Sequence, residues 1–297
     1  MNFLLTGGTG FVGKKVTEAL HDNGHHTFII TRTPDKYENT EKTTYIDFNF
    51  PMEELPLIYG VINLAGESLF GYWTEKKKEA ILSSRISITN KVIDTIKRLK
   101  EKPKVFINGS AVGFYGNSNE LIFTEATKEA GSDFLADVVV KWEAAAKQAE
   151  ELGIRTVYSR FGIILGHGGS LPLMSLPIKL FAGGKIGSGE QWLSWIHIDD
   201  VVRLMYFCLF HEDISGAVNF TAPKPKRNKE FMKTLAAALK RPYWLTTPSF
   251  VIQTVTGETG QLITKGQYVI PQKALDHQFQ FSYPELKIAL EQIFNRD

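Results

Sequence analysis

Cysteine is nearly missing from this chain. Cys208 is the only one in 297 residues, which excludes a disulfide framework and a cysteine-rich metal site. Its setting, "LMYFCLF", reads as that of a small buried hydrophobe, and no metal is expected elsewhere. A dominant charge is missing too. The net charge is only +2, too small to expect nucleic acid or a membrane as a general partner. The basic clusters "EKKKEA" and "KRLKEKPK" read as solvated helix faces and ends. No apolar run approaches the length of a membrane span, no signal-peptide pattern opens the chain, and no internal repeat occurs. A cytoplasmic enzyme is the expectation, with a homodimer left open.

What is present is ordinary in bulk and ordered in pattern. Hydrophobic residues make up 43% and charged residues 22%, as in soluble globular proteins. "MNFLLTGGTGFVGKKVTEALHDNG" opens with an apolar strand, turns at glycines and continues as a helix with Val12, Val16, Ala19 and Leu20 on one face. Further strands are expected in "HTFIITRTP", "TTYIDF", "GVINLAG", "KVFINGS" and "RTVYSRFGIILG". Helices are expected at about residues 74–99 and 136–152, the latter ending near Gly153. Strands alternating with helices predict an α/β fold with a doubly wound parallel sheet. Beyond Gly166 the chain becomes rich in Gly, Ser and Pro. "WIHIDDVVRLMYFCLF" then returns to strand-then-helix order, with Asp199 or Asp200 expected as the N-cap. Two more helices are expected around "KEFMKTLAAALK" and "PELKIALEQIF". This organisation predicts a Rossmann domain over 1–165, with 193–222 returning to it, and a smaller substrate lobe and C-terminal domain over 166–192 and 223–297.

Gly7, Gly10 and Gly13 form a glycine turn directly between a strand and an amphipathic helix. Glycine is needed there because the backbone must come close to a pyrophosphate, which then rests on the N–H groups of the helix N-terminus. Thr9, Phe11 and Val12 complete the expected phosphate-facing segment. At the end of the second strand a carboxylate would select NAD(H) by binding the ribose hydroxyl. Thr31 and Arg32 stand there instead, a hydroxyl and a guanidinium able to clamp a 2′-phosphate, so NADP(H) is the expected cofactor. Asp47 and Phe48 are expected to receive the adenine. Leu64, Ala65 and Gly66 of "NLAG" are expected to form a backbone lip over the adenosine ribose.

The motifs "TGGTGFVG", "NLAG", "GSAVGFYG", "SRFGIILG" and "WIHIDD", in this order, resemble the extended short-chain dehydrogenase/reductases. "YWTEKKKEAILSSRISIT", "GSGEQWLSWIHIDD" and "GETGQLITKGQYVIPQKAL" are similar to their atypical "epimerase family" branch, the YfcH-like proteins with a small C-terminal domain of unknown function. The resemblance spans essentially the whole chain. It implies an oxidoreductase or a nucleoside-diphosphate-sugar-epimerase-like enzyme acting on a small molecule held between the two lobes.

Reductases of that family use a Tyr-x-x-x-Lys pair as acid/base, with a Ser that orients the carbonyl. With Glu143 taken as the family's helix glutamate, those two positions here hold Leu135 and Val139. Lys141 lies about 200° around the helix from position 139 and points away. Leu135, Val138, Val139 and Trp142 read as an apolar packing stripe. Ser110 lies at or beside the family's serine position, which an alignment on "YG" moves to Ala111. Tyr115 either reaches the ligand pocket or packs with its hydroxyl satisfied. Arg85 interrupts the apolar stripe of Ile81, Ile88, Val92 and Ile96, where the family carries asparagine, so it is either ion-paired or a ligand for an anionic substrate. Family topology also offers Glu67, Gln191 and Trp192 as substrate contacts, and His197 as a structural residue. Ser110, Tyr115 and Arg85 are the catalytic candidates. A catalytically inert NADP(H)-binding sensor or scaffold is the alternative.

Overall fold

Strand β1 (Asn2–Thr6) shows why a two-sided sheet forms. Phe3 and Leu5 join one buried cluster, and Leu4 between them joins another. A strand apolar on both faces must be covered on both. The computed structural model describes residues 1–69, 71–247 and 257–294. Residues 70, 248–256 and 295–297, parts of the expected domains, lie outside that description. Six further strands run parallel to β1: β2 (His26–Ile30), β3 (Thr43–Ile46), β4 (Ile58–Asn63), β5 (Val105–Ala111), β6 (Arg155–Phe161) and β7 (Gly216–Phe220). Their order across the sheet is β3-β2-β1-β4-β5-β6-β7. The direction of winding reverses between β1 and β4, which opens a crevice at the carboxyl ends of those strands.

Helices α1 (Phe11–Asp22) and α5 (Ile198–Phe210) cover the face of Phe3 and Leu5. Helices α2 (Glu75–Arg98) and α3 (Phe134–Glu151) cover the face of Leu4. Cys208 is fully buried in the α5 layer. Arg155 closes the C-terminus of α5, donating to the carbonyls of Cys208, Leu209 and Ile214 at 2.8 Å each. A guanidinium there satisfies carbonyls that have no partner within the helix. A third cluster builds the smaller lobe. It packs Met174 and Ile178 of α4 (Leu171–Lys179), Phe231 and Leu235 of α6 (Asn228–Ala238), and Leu290 of the C-terminal helix Leu286–Phe294 around Trp195.

Two expectations change in detail. "RTVYSRFGIILG" is not one strand. It divides at Gly162 into β6 and Ile163–Leu165, which pairs with Trp195–His197. A Cβ at Gly162 would lie 2.5 Å from the Ser194 carbonyl oxygen, so a crossing backbone requires glycine there. The N-cap of α5 is His197, not Asp199 or Asp200: its Nδ1 accepts the Asp199 N–H at 3.1 Å. Asp200 lies inside the first turn, fully buried, and accepts the N–H groups of Ser282 at 2.7 Å and Tyr283 at 2.8 Å. An aspartate that would suit a cap is used to fasten the far end of the chain. Among the described residues no helix is long and apolar enough to cross a membrane.

Candidate cofactor and substrate site

The glycine turn closes as tightly as its sequence implies. Gly7 has φ +72° and its backbone abuts Leu64 and Ala65 of the lip, where a Cβ would meet the Leu64 carbonyl carbon at 2.7 Å. A Cβ at Gly13 would stand 2.1 Å from the Gly7 carbonyl oxygen. Gly10 caps α1 with backbone only; no side chain accepts from its first N–H groups. That leaves the positive end of the helix dipole available to an anion. Phe11 is held on its outer side by Gly166, Gly168 and Gly169, whose added Cβ atoms would lie 2.8, 2.6 and 3.2 Å from its ring. This explains the glycine-rich run after Leu165. Backbone at these glycines packs directly on the first residue of α1.

Arg32 is exposed at the end of β2, and Thr31 next to it is partly buried. Asp47 and Phe48 lie just past β3. Asp47 accepts the N–H groups of Asn49 at 2.8 Å and Phe50 at 3.1 Å, which fixes a turn beside the crevice. Lys91 lies 5.6 Å from the centre of the Phe48 ring. Glu67 sits among cations. Lys77, 2.7 Å away, holds its carboxyl below the usual range, and Arg32 and Arg85 act in the same direction from farther off. Beneath the crevice Asn63 bonds to Thr6 at 2.5 Å, Asn108 at 2.6 Å and Thr89 at 2.9 Å, and Thr89 also accepts the Trp142 indole N–H at 3.0 Å. All five side chains are buried. The network locks β1, β4, β5, α2 and α3 together under the site, at positions where apolar residues would have served packing alone.

The apolar stripe on α3 is only partly a sheet contact. Trp142 lies on Gly109 of β5, where a Cβ would be 2.9 Å from the indole. Val139 packs with Phe114, Tyr115, Phe123 and Val269, and Val138 packs with Trp73 and Ile81. Lys141 pairs with Asp137 at 2.8 Å on the outer face, half exposed.

The two hydroxyl candidates are engaged within the protein. Ser110, buried, donates to Glu143 Oε1 at 2.5 Å. Glu143 in turn accepts from Arg160 Nε and Nη2, both at 2.8 Å. The Arg160 guanidinium lies 3.5 Å from the centre of the Phe114 ring. Tyr115, also buried, donates to Asn219 Oδ1 at 2.8 Å and stacks on Phe123; burial pushes its phenol pKa up. Ser110 therefore ties β5 to α3, and Tyr115, in the turn just past β5, ties that segment to β7, each hydroxyl donating within the protein. The Glu143–Arg160 pair escaped the sequence reading because its partners are brought together only by the fold.

Arg85 is different. Its Nη1 donates to the carbonyls of Glu67 at 3.1 Å and Ile81 at 3.0 Å, and its guanidinium lies 5.1 Å from the centre of the Trp142 ring. Among the described residues no carboxylate lies within ion-pair distance of it. Burial without a close counter-ion lowers its pKa to about 10, which leaves it charged at neutral pH. It reaches the lip, since a Cβ on Gly66 would lie 3.3 Å from Arg85 Cζ. A cation so placed has no carboxylate partner among the described residues and lies beside the lip that abuts the glycine turn.

Gln191 and Trp192 are structural contacts of a C-terminal strap. Gln191 donates to the carbonyls of Ile186 at 3.1 Å and Ile263 at 3.0 Å and is buried. Trp192 donates to Asn119 O at 3.1 Å, stacks under Arg227 at 3.8 Å and meets Tyr268 edge-on. The strap continues through Tyr268–Val269, paired with Ile122–Phe123. A separate cleft of about 510 Å³ opens between α1 and α5, lined in part by Tyr206, Phe207, Phe210 and Phe279. No residue of the glycine turn lines it, and it lies apart from the chemistry.

Comparison with known proteins gives one consistent picture. Residues 3–220 match the NAD dependent epimerase/dehydratase family, and residues 247–293 match a domain of unknown function, DUF1731. Epimerase family protein YfhF of Bacillus subtilis is 46% identical, over 99% of this chain and 98% of that one. The crystal structure of human epimerase family protein SDR39U1 (isoform 2) with NADPH superposes with a TM-score of 0.90 at 33% identity, covering 100% of both chains. UDP-glucuronic acid 4-epimerase from Bacillus cereus, with a TM-score of 0.79 at 18% identity over 99% of this chain and 98% of that one, shares the fold. This chain belongs to the NAD dependent epimerase/dehydratase family, in the epimerase-family branch that adds the DUF1731 domain.

Proposed function

We propose that the protein is an NADP(H)-dependent oxidoreductase, or an enzyme of epimerase type, that acts on a small anionic substrate without a Tyr-x-x-x-Lys pair. The observation that carries this reading is Arg85: a desolvated guanidinium, without a carboxylate partner among the described residues, beside the glycine turn. An anion bound there would recover the electrostatic energy that burial costs the cation.

The residues present fit the cofactor. The cradle formed by Gly7 and Gly13 has no room for a side chain, and the open N-terminus of α1 suits a pyrophosphate. Arg32, with no acid at the strand end, suits a 2′-phosphate, and the relative crystallised with NADPH supports the same choice. The nicotinamide would supply or accept hydride. The chain's own contribution is to bind and orient. Arg85 would hold the anionic group of the substrate, and the lip of Leu64, Ala65 and Gly66 would position the ribose. Ser110, Tyr115, Gln191 and Trp192 would hold the walls of the site in place, leaving Glu67 to face the substrate from the rim.

The test begins with NADPH fluorescence. Tight binding of NADPH and weaker binding of NADH are expected, with Arg32→Ala removing most of the difference; equal affinities in the wild type would dismiss the Arg32 argument. Single-turnover oxidation of bound NADPH should then appear with carbonyl compounds that carry a carboxylate or phosphate. A second reading, an inert NADP(H) sensor or scaffold, is favoured by the occupied hydroxyls of Ser110 and Tyr115. Tight NADPH binding with no oxidation across the whole panel would select it.

A further inference from the structure

The C-terminal strap is fastened evenly except at one end. From Ile263 to Ile270 it exchanges hydrogen bonds with Gln191, Ser118, Ser194, Val112, Thr221 and Asn219. At its start, Gly257–Gly260 meets the body by different means. Gly257 packs against the Tyr72 ring, where an added Cβ would be 3.2 Å from Cδ1. The carboxylate of Glu258 lies 2.7 Å from Lys78 Nζ.

Lys78 is a junction. It sits in the first turn of α2, 3.4 Å from Glu75 and 5.8 Å from the centre of the Phe134 ring, next to Leu135 at the family's tyrosine position. The preceding residue, Lys77, binds Glu67, whose carbonyl accepts from Arg85. Two successive lysines thus face two ways. Lys77 ties this turn to the loop that follows β4, and Lys78 ties it to the strap.

We infer that Glu258 is a positioning residue for the crevice, acting through Lys78 to steady the first turn of α2, whose Lys77 holds Glu67 beside Arg85, and that this is one task of the DUF1731 domain. The inference rests on the reading of the crevice as an NADP(H) site. The Lys78 side chain is 18% exposed and that of Glu258 51%, so solvent and salt weaken the pair.

The experiment compares wild type, Glu258→Gln, Lys78→Met and the exchange Lys78→Glu with Glu258→Lys. NADPH release is followed by stopped-flow fluorescence, and backbone hydrogen exchange is followed in the segment 64–74. Each single change is expected to speed both release and exchange by roughly two- to fivefold, the range for a partly exposed ion pair. The exchanged pair should restore both to near the wild-type rates. Single variants that match wild type in both readouts would overturn the inference, as would an exchanged pair no better than the singles. Should the chain fail to bind NADPH, the cofactor reading falls while hydrogen exchange still decides the role of Glu258.

Discussion

The Arg85 guanidinium lies over the Trp142 indole, 5.1 Å from the ring centre. Trp142 stands nearly one turn beyond Val139, so α2 brings a cation to this buried face of α3, while Lys141 lies on the outer face. Arg85→Met should therefore lower turnover on any substrate found by about 100-fold or more, as loss of one charge-stabilising donor does. The same change removes a partly buried charge that has no carboxylate partner among the described residues and should raise stability by about 1 kcal/mol, or roughly 2–4 °C in Tm. Thermal melts decide the point: a lower Tm in Arg85→Met would show that the guanidinium serves the fold.

Glu143 stands between Ser110 and Arg160. Glu143→Gln leaves Arg160, only 5% exposed, without its charge partner and is expected to cost about 3–5 kcal/mol. Ser110→Ala removes one hydrogen bond and should cost about 1 kcal/mol, with NADPH oxidation changed only a few-fold. Denaturant unfolding measures the first two quantities. A large loss of turnover in Ser110→Ala, at unchanged stability, would return the serine to the chemistry.

Rebuilding the family's pair should fail. Val139 is 4% exposed and packed against Phe114, Phe123 and Val269, so Val139→Lys buries an ammonium without a partner. The double change Leu135→Tyr with Val139→Lys is expected to lose about 3 kcal/mol or more and to gain no reductase activity. A stable, active double variant would mean that the crevice reaches deeper along α3 than its packing indicates.

Glu125 sets a pH dependence with an unusual sign. Buried, it accepts the backbone N–H groups of Asn219 at 2.9 Å and Lys273 at 3.3 Å, yet burial pushes its carboxyl pKa up. The folded state then holds the proton more tightly than the unfolded state does. The group's contribution is full below its unfolded pKa, near 4.5, and fades as pH rises through the higher folded value. Glu125→Gln should remove that fade, giving a flatter Tm profile above about pH 4.5 than the wild type shows. Parallel profiles for the two proteins would refute the assignment.

How much of this could be read in the sequence depends on the kind of constraint. The glycine turn was legible because backbone crowding at Gly7 and Gly13 tolerates no other residue. The course of α3 was legible because a helix repeats predictably, and Val138, Val139 and Trp142 fall on its buried side as their spacing implies. The cap of α5 misled, because Asp199 and Asp200 carry the usual cap chemistry while Asp200 is claimed by a segment some eighty residues later. The alternatives for Ser110 and Tyr115 stayed open in the sequence for the same reason. Their partners, Glu143 and Asn219, lie 33 and 104 residues away. Local pattern predicts local structure, and it cannot see which distant group will take a side chain's last hydrogen.

The fastening of Asp200 also bears on how the protein is made. The layer formed by α1 and α5 counts Ala274 and Phe279 among its buried residues, and the Asp200 carboxylate waits for two N–H groups at Ser282 and Tyr283. Until those residues leave the ribosome, the layer of α1 and α5 stays unfinished, with an apolar flank open and a buried carboxylate unsatisfied. Nascent chains should therefore complete this layer only at the end of translation. A premature stop before residue 282 would yield a product fit for proteolysis, not a free-standing nucleotide-binding half.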